Sequence, residues 1–286
     1  MKILIIGSGV LGYATGIGFA KKGNDLVFYD VDKAKLHELQ KQGYATVNSV
    51  EDAVDVDVVF ICVPTPTGAN GMDFSFLQDA AIKAARAIKG NGKYSVVAVR
   101  STVLPTTTRS RVLPLLESNS GMDAGKDFGI CMNPEFLREN YAQYDFENPA
   151  RIVIGELDKR SGDTLANLYE PFKAPTFRVD LDSAEMIKYA ANLFLATKIS
   201  FFNEIFLLCE KAGLSASVVS EIVAMDPRIG TYGVRGGQPF GGKCLPKDLE
   251  ALIDFAHGKG LNPKMLEAAR DLNKEISDYV KGRKPK

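Results

Sequence analysis

The sequence predicts an α/β fold: a doubly wound, Rossmann-type parallel sheet followed by an all-helical domain with one long helix. Three observations carry this. From residue 1 to about 180, short β-branched runs alternate with helical patterns, the rhythm of parallel strands with crossover helices. A glycine-rich turn follows the first run and opens a helix. After Val179-Asp180-Leu181-Asp182 the strand pattern stops, and a helical pattern runs from Ser183 to about Ala212, where Gly213 ends it. The expected domains are 1–180, binding a dinucleotide, and 181–286, helical.

The strands in order are Lys2 to Ile6, Asp25 to Tyr29, Val56 to Val63, Ser95 to Arg100, Gly129 to Met132 and Arg151 to Ile154. The opening apolar run could imitate a signal peptide, but Gly7, Gly9 and Gly12 interrupt it and no cleavage pattern follows. The long helix is apolar on more than one face and would span about 45 Å, which outruns one small core. It is expected to pack against a second domain or a second subunit, and a homodimer through Ser183 to Ala212 is predicted. Asn192, Lys198, Asn203 and Glu204 make that stretch too polar for a lipid-facing span, so no membrane is expected. Further helices are expected at about Ala216 to Ala224, Lys247 to His257 and Pro263 to Val280.

Composition narrows the function. With 286 residues, 45% hydrophobic and 24% charged, the chain can bury full cores. Lys+Arg and Asp+Glu balance at 35 each, which lacks the footprint of a nucleic-acid binder. Cys62, Cys131, Cys209 and Cys244 show no metal-ligand spacing, so no metal is expected and reduced thiols in the cytoplasm are the plain reading.

Gly7-Ser8-Gly9-Val10-Leu11-Gly12 stands between a strand and a helix, the context a dinucleotide fingerprint requires. Gly7 permits the turn, Gly9 lets the backbone approach a pyrophosphate, and Gly12 lets helix and strand pack closely. Asp30 ends the second strand, placed to accept from the ribose hydroxyls and to repel a 2′-phosphate, so NAD is favoured over NADP. A glycine-rich turn without a ligand is the competing reading. Thr65 and Pro66 follow the third strand and Thr102 the fourth, at carboxyl ends where ligands sit in open sheets. Thr65 is equally a cofactor contact or part of a strand stop made by the prolines.

The stretch Gly241-Gly242-Lys243-Cys244-Leu245-Pro246-Lys247-Asp248 is the most informative. A single thiol with glycines before it, a proline suited to a first helical turn and a lysine beside it describes a nucleophile whose thiolate is favoured. Cys62, Cys131 and Cys209 read as small core residues. Lys188 and Asn192 are four apart on the long helix and share a face; they are a solvated strip, a buried polar pair, or a cation and an amide aimed at one substrate oxygen. Glu135 and Glu139 are expected four apart on a short helix, a pattern that in isolation is more often surface.

Together these segments resemble the UDP-glucose/GDP-mannose dehydrogenase family of nucleotide-sugar dehydrogenases, which oxidise a primary alcohol to a carboxylate with two NAD. The resemblance runs from Met1 to about residue 275. It rests on Gly7 to Gly12, Val63 to Pro66, Ser101-Thr102-Val103, Asn133 to Glu139, the block from Asp145 to Gly155, Lys188-x-x-x-Asn192, Phe201 to Glu204, Asp226 to Gly230 and Gly241 to Asp248. The UDP-glucose 6-dehydrogenase branch is the nearest likeness. The resemblance implies that Cys244 attacks the aldehyde left by the first oxidation, forming a thiohemiacetal and then a thioester. Lys188 and Asn192 would stabilise the oxyanion, and Thr102, Glu135 and Asp248 would position or deprotonate a water. It also implies cofactor contacts at Val10, Leu11, Glu139 and Lys247, and substrate contacts at Glu135, Phe136, Leu137, Arg228 and Gly241. The family continues into a nucleotide-gripping third domain, and this sequence is expected to lack it. Rival expectations are a β-hydroxyacid dehydrogenase performing a single hydride transfer, which needs no thiol, and a catalytically silent NAD-binding subunit.

Overall fold

The computed structural model describes residues 1–68, 71–242 and 244–282. The chain forms two compact units, Met1–Pro66 with Asp73–Lys188, and Thr67–Met72 with Tyr189–Lys286. Strands β1 (Lys2–Ile6), β2 (Asp25–Tyr29), β3 (Ala45–Thr46) and β4 (Val58–Ile61) are followed by a small hairpin, β5 (Thr67–Gly68) and β6 (Gly71–Met72), and by β7 (Val96–Val99), β8 (Gly129–Met132), β9 (Ile152–Glu156) and β10 (Thr176–Asp180). The helices of the first unit are α1 (Val10–Ala20), α2 (Lys33–Lys41), α3 (Ser75–Lys89), α4 (Leu113–Ser120), α5 (Ala142–Glu147) and α6 (Lys159–Tyr169). Helix α7 (Leu181–Ala212) begins in the first unit and continues into the second, which adds α8 (Ala216–Val223), α9 (Leu245–Gly258) and α10 (Lys264–Gly282).

The main sheet has the order β10-β9-β8-β7-β4-β1-β2-β3. Alternation along each central strand divides its side chains between two apolar cores. Leu4, Ile6, Val59, Ile61, Val97 and Val99 face one way, onto α3 residues such as Leu77, Ala84 and Ile88. Ile3, Ile5, Val58, Phe60, Val96 and Ala98 face the other way, with Ile17, Leu36, Phe146 and Leu165 from α1, α2, α5 and α6. Because both faces are covered, these strands read as continuous apolar runs.

The expected parallel sheet is present, with one antiparallel pair in it. β8 and β9 pair antiparallel, Met132 opposite Gly155, while the other pairs in this sheet are parallel. An antiparallel neighbour must be entered from the end at which the previous strand left. Residues 133–151 therefore stay at the carboxyl end of β8, where ligands gather in open sheets. Strand β10, absent from the expected set, is a largely exposed edge whose Arg178 binds Glu156 at 2.6 Å.

In the second unit, irregular chain from 224 to 242 is tied down by side-chain amides. Asn203, fully buried on α7, accepts from Gly237 N at 2.8 Å and donates to the Gln238 carbonyl at 2.9 Å. Asn273 on α10 does the same for Phe240, at 2.8 and 3.1 Å. Each side chain imitates a strand partner where no strand exists. The hairpin β5–β6 packs on α9. By length and composition α7 is long and apolar enough to cross a membrane, and a third of its most apolar window is buried. Its polar groups meet protein partners: Lys198 donates to the Ile229 carbonyl at 2.5 Å and Ser200 to the Ala269 carbonyl at 2.8 Å.

Candidate active site

The cofactor end is built by β1, α1 and β2. Gly7 has φ +95°, which L side chains rarely adopt, and a Cβ there would lie 2.7 Å from the Cys62 carbonyl. A Cβ on Gly12 would lie 1.8 Å from the Gly7 carbonyl oxygen. Both glycines are thus required by the protein's own packing. Gly9, the N-cap of α1, differs: a Cβ there meets nothing within 4 Å. Unfilled space above the first turn of a helix with unpaired N–H groups is what a pyrophosphate needs, so these residues fit a dinucleotide.

Asp30, 8% exposed, accepts from Ser8 N at 2.7 Å, from Ser8 Oγ at 2.8 Å and from Asp32 N at 2.9 Å. Burial pushes its pKa upward, but the hydrogen bonds from Asp32 and Ser8, with Lys35 at 3.8 Å, outweigh burial and hold the carboxyl below the usual range. A fixed anion stands at the end of β2. In the first turn of α1, Val10 is 55% exposed and Leu11 is half-buried.

Thr65 is buried and donates to the Thr102 carbonyl at 2.6 Å, joining the loops after β4 and β7; Pro66 is exposed. The sequence left Thr65 open between two readings, and its hydroxyl is engaged by the protein. Glu135 does not share a helix with Glu139, contrary to expectation. Its Oε2 accepts from Leu137 N at 2.5 Å, a local closure that competes with helix, and only Glu139–Tyr141 form a short 3₁₀ turn. The other oxygen, Oε1, accepts from Lys188 Nζ at 2.7 Å. Lys188 is 3% exposed, with Phe136 5.7 Å away, so it is half of a buried ion pair and not a solvated residue. Leu137 is half-buried and Glu139 exposed in the same loop.

In the second unit Cys244 is exposed and stands as the N-cap of α9, with Pro246 in the first turn. Cys62 and Cys131 are buried, and burial pushes both thiols up to about 12, which makes them inert. Asp248, on the first turn of α9 and 1% exposed, accepts from Asn192 Nδ2 at 2.7 Å and pairs with Lys247 at 2.8 Å. Lys188 and Asn192, one helical turn apart on α7, are thus each matched to a carboxylate. Arg228 is 88% exposed at its side chain and fixed to Asp226, Nη2 to Oδ2 at 2.5 Å. Gly241 is exposed with open space around it, and Lys243 lies outside the described residues. Asn203 and Asn273 were not given roles by sequence; the signal was an asparagine inside an otherwise apolar helical face. Among the described residues no cluster of His, Cys, Asp and Glu could hold a metal.

Fold and site define a class: a Rossmann unit with a dinucleotide cradle, joined by a shared helix to a unit bearing a helix-terminal thiol. Comparison with known proteins sharpens this. Residues 42–173 match the UDP-glucose/GDP-mannose dehydrogenase family, NAD binding domain, and 182–275 its central domain. Residues 2–70 also match the NADP oxidoreductase coenzyme F420-dependent family. GDP-mannose 6-dehydrogenase of Azotobacter vinelandii is 38% identical over 90% of this chain and 64% of that protein. UDP-glucose 6-dehydrogenase of Bacillus subtilis is 36% identical over 98% of this chain and 64% of that protein. The solved UDP-glucose dehydrogenase from Pyrobaculum islandicum superposes with a TM-score of 0.90 at 35% identity, covering 97% of this chain and 69% of that one. The chain belongs to the UDP-glucose/GDP-mannose dehydrogenase family and carries its NAD-binding and central domains. It spans somewhat less than two thirds of the length of the first two of these relatives.

Proposed function

We propose that this chain performs the NAD-dependent oxidation of a nucleotide sugar's primary alcohol to a carboxylate, as a UDP-glucose 6-dehydrogenase-like enzyme. The observation that carries the reading is Cys244: this exposed cysteine stands at the N-cap position of the helix whose first turn also bears Asp248, held by Asn192. The NAD-binding domain and the names of the relatives support it.

NAD would be held by Gly7, Gly9, Val10, Leu11, Gly12 and Asp30, with Thr65, Pro66, Thr102, Glu139 and Lys247 toward its reactive end, and when bound it accepts hydride from the sugar carbon in each oxidation. The thiolate of Cys244 attacks the aldehyde carbon and forms a C–S bond; the helix N-terminus favours the anion that does so. Lys188 and Asn192 donate to the oxygen that gains charge during this attack and during thioester hydrolysis. Their ion-pair and hydrogen-bond partners, Glu135 and Asp248, keep both side chains in place, and with Thr102 they hold the water that cleaves the thioester. Covalent capture keeps the aldehyde from leaving half-oxidised. Phe136, Leu137, Gly241 and Arg228 contact the sugar. A reducing, cytoplasmic setting suits the thiol.

The chain acts as a homodimer through α7. Phe194, Phe201 and Leu208 are 68%, 54% and 58% exposed at spacings of seven, the repeat of a helix seam. Sedimentation velocity at micromolar protein is expected to give a dimer, and Phe201→Glu a monomer; a monomeric parent chain refutes this part.

A panel of UDP-glucose, GDP-mannose, UDP-N-acetyl sugars and small hydroxyacids, read by NADH release, tests the whole. UDP-glucose is expected to be turned over, with acid formation falling by at least about 10³-fold in Cys244→Ala. Turnover of small hydroxyacids alone, insensitive to that change, would favour the single-hydride reading.

A further inference from the structure

A cavity of about 200 Å³ in the first unit is walled by the loop 133–138, by residues 145–152 and by Arg100 and Tyr169. It shares no residue with the glycine cradle, and through Glu135, Phe136 and Leu137 it adjoins the loop assigned above to water and sugar. Three guanidinium groups line it, Arg100, Arg138 and Arg151, against two carboxylates, Glu135 and Asp145. Both carboxylates are already matched: Glu135 by Lys188 at 2.7 Å and Asp145 by Arg138 at 2.6 Å.

Arg100 is 4% exposed; its guanidinium lies over the Phe146 ring at 5.1 Å, and its hydrogen-bond partners are neutral oxygens. Nε donates to Thr15 Oγ1 at 2.8 Å; Nη1 donates to Asn133 Oδ1 at 2.5 Å and to the Tyr169 hydroxyl at 3.0 Å. Among the described residues nothing accepts from Nη2, and no carboxylate answers the charge. Burying a cation without a counter-ion is costly. Arg151, across the cavity, rests on the Phe136 ring at 3.9 Å and has no carboxylate among the described residues either.

We propose that this cavity binds a small oxyanion, a free phosphate or a small carboxylate, between Arg100 and Arg151. Guanidinium forks suit planar or tetrahedral oxyanions. The space lies below the roughly 300 Å³ at which drug-sized sites begin, which suits a small anion. An occupant would neutralise both cations and stiffen the loop that carries Glu135, so it raises the melting temperature by linkage.

The test is calorimetric titration of the whole chain, saturated with NAD so that phosphate cannot enter the cradle, with inorganic phosphate and separately with malonate at constant ionic strength. Saturable one-to-one binding by either anion, weakened about tenfold or more in Arg151→Gln, supports the site and says which chemistry it takes. Arg151→Gln is the decisive variant because it breaks no ion pair of the fold; Arg100→Met, if it folds, should abolish binding. No saturable binding by either anion, or binding unchanged in Arg151→Gln, overturns the proposal.

Discussion

The groups that the two units bring to the proposed chemistry differ in how far the protein itself covers them. In the sheet unit Gly7 and Gly12 are wedged against backbone, and Asp30 and Lys188 are buried on partners. In the helical unit Gly241 has open space around it, Cys244 faces outward, and Phe194 and Phe201 are uncovered. In the sheet unit Gly7, Gly12, Asp30 and Lys188 are fixed by the protein's own packing and partners. The helical unit leaves Cys244 and an apolar stripe of α7 uncovered, the surfaces that we propose meet substrate and a second copy.

The largest expected difference is a matched pair of glycine changes. Gly12→Ala should cost on the order of 3 kcal/mol of stability, since its Cβ would overlap the Gly7 carbonyl and backbone cannot swing away. Gly241→Ala should leave the denaturation midpoint within about 0.5 kcal/mol of the parent. Equal midpoints for the two variants in urea unfolding would erase the contrast.

Next in size is a pH effect at the start of α7. Glu185 is fully buried; burial raises its carboxyl from 4.5 to about 7, only partly offset by bonds from Thr108, whose N–H lies 2.7 Å from Oε1. The native state therefore holds a proton that the unfolded chain has lost. Stability is fully present below 4.5 and declines as pH rises through about 7. Urea unfolding at about pH 5 and about pH 8 should differ by on the order of 3 kcal/mol from this group. Glu185→Gln keeps the acceptor for Thr108 and should flatten that difference. A parent chain as stable at the higher pH would contradict the assignment.

Smallest is Gly9→Ala. Nothing in the protein opposes its Cβ, so stability should hold while NAD binding weakens about tenfold, roughly 1.4 kcal/mol. Unchanged NAD affinity in calorimetry would mean that the space above α1 is not a cradle.

Long periodic elements were legible in the sequence. β1, β2 and β8 fall on the expected residues, and α7 begins only two residues early, where Asp180 accepts from Ser183 N at 2.9 Å. β3 and the hairpin β5–β6 are two residues per strand and too short to show a period. The antiparallel β9 was hidden because a fully buried strand looks the same in either direction. At the site, residue types were readable but partners were not. Lys188 meets Glu135 across 53 residues and Asn192 meets Asp248 across 56, and no local pattern encodes such pairings. Glu135 was misplaced on a helix because its own side chain closes a turn on Leu137.

We propose that Cys244 captures the aldehyde so that one chain completes both oxidations. It is tested most directly by counting NADH released per UDP-glucose consumed, with enzyme in excess and NAD saturating. The account predicts two NADH per sugar, with no free aldehyde detected. One NADH per sugar, with aldehyde in solution, would contradict it.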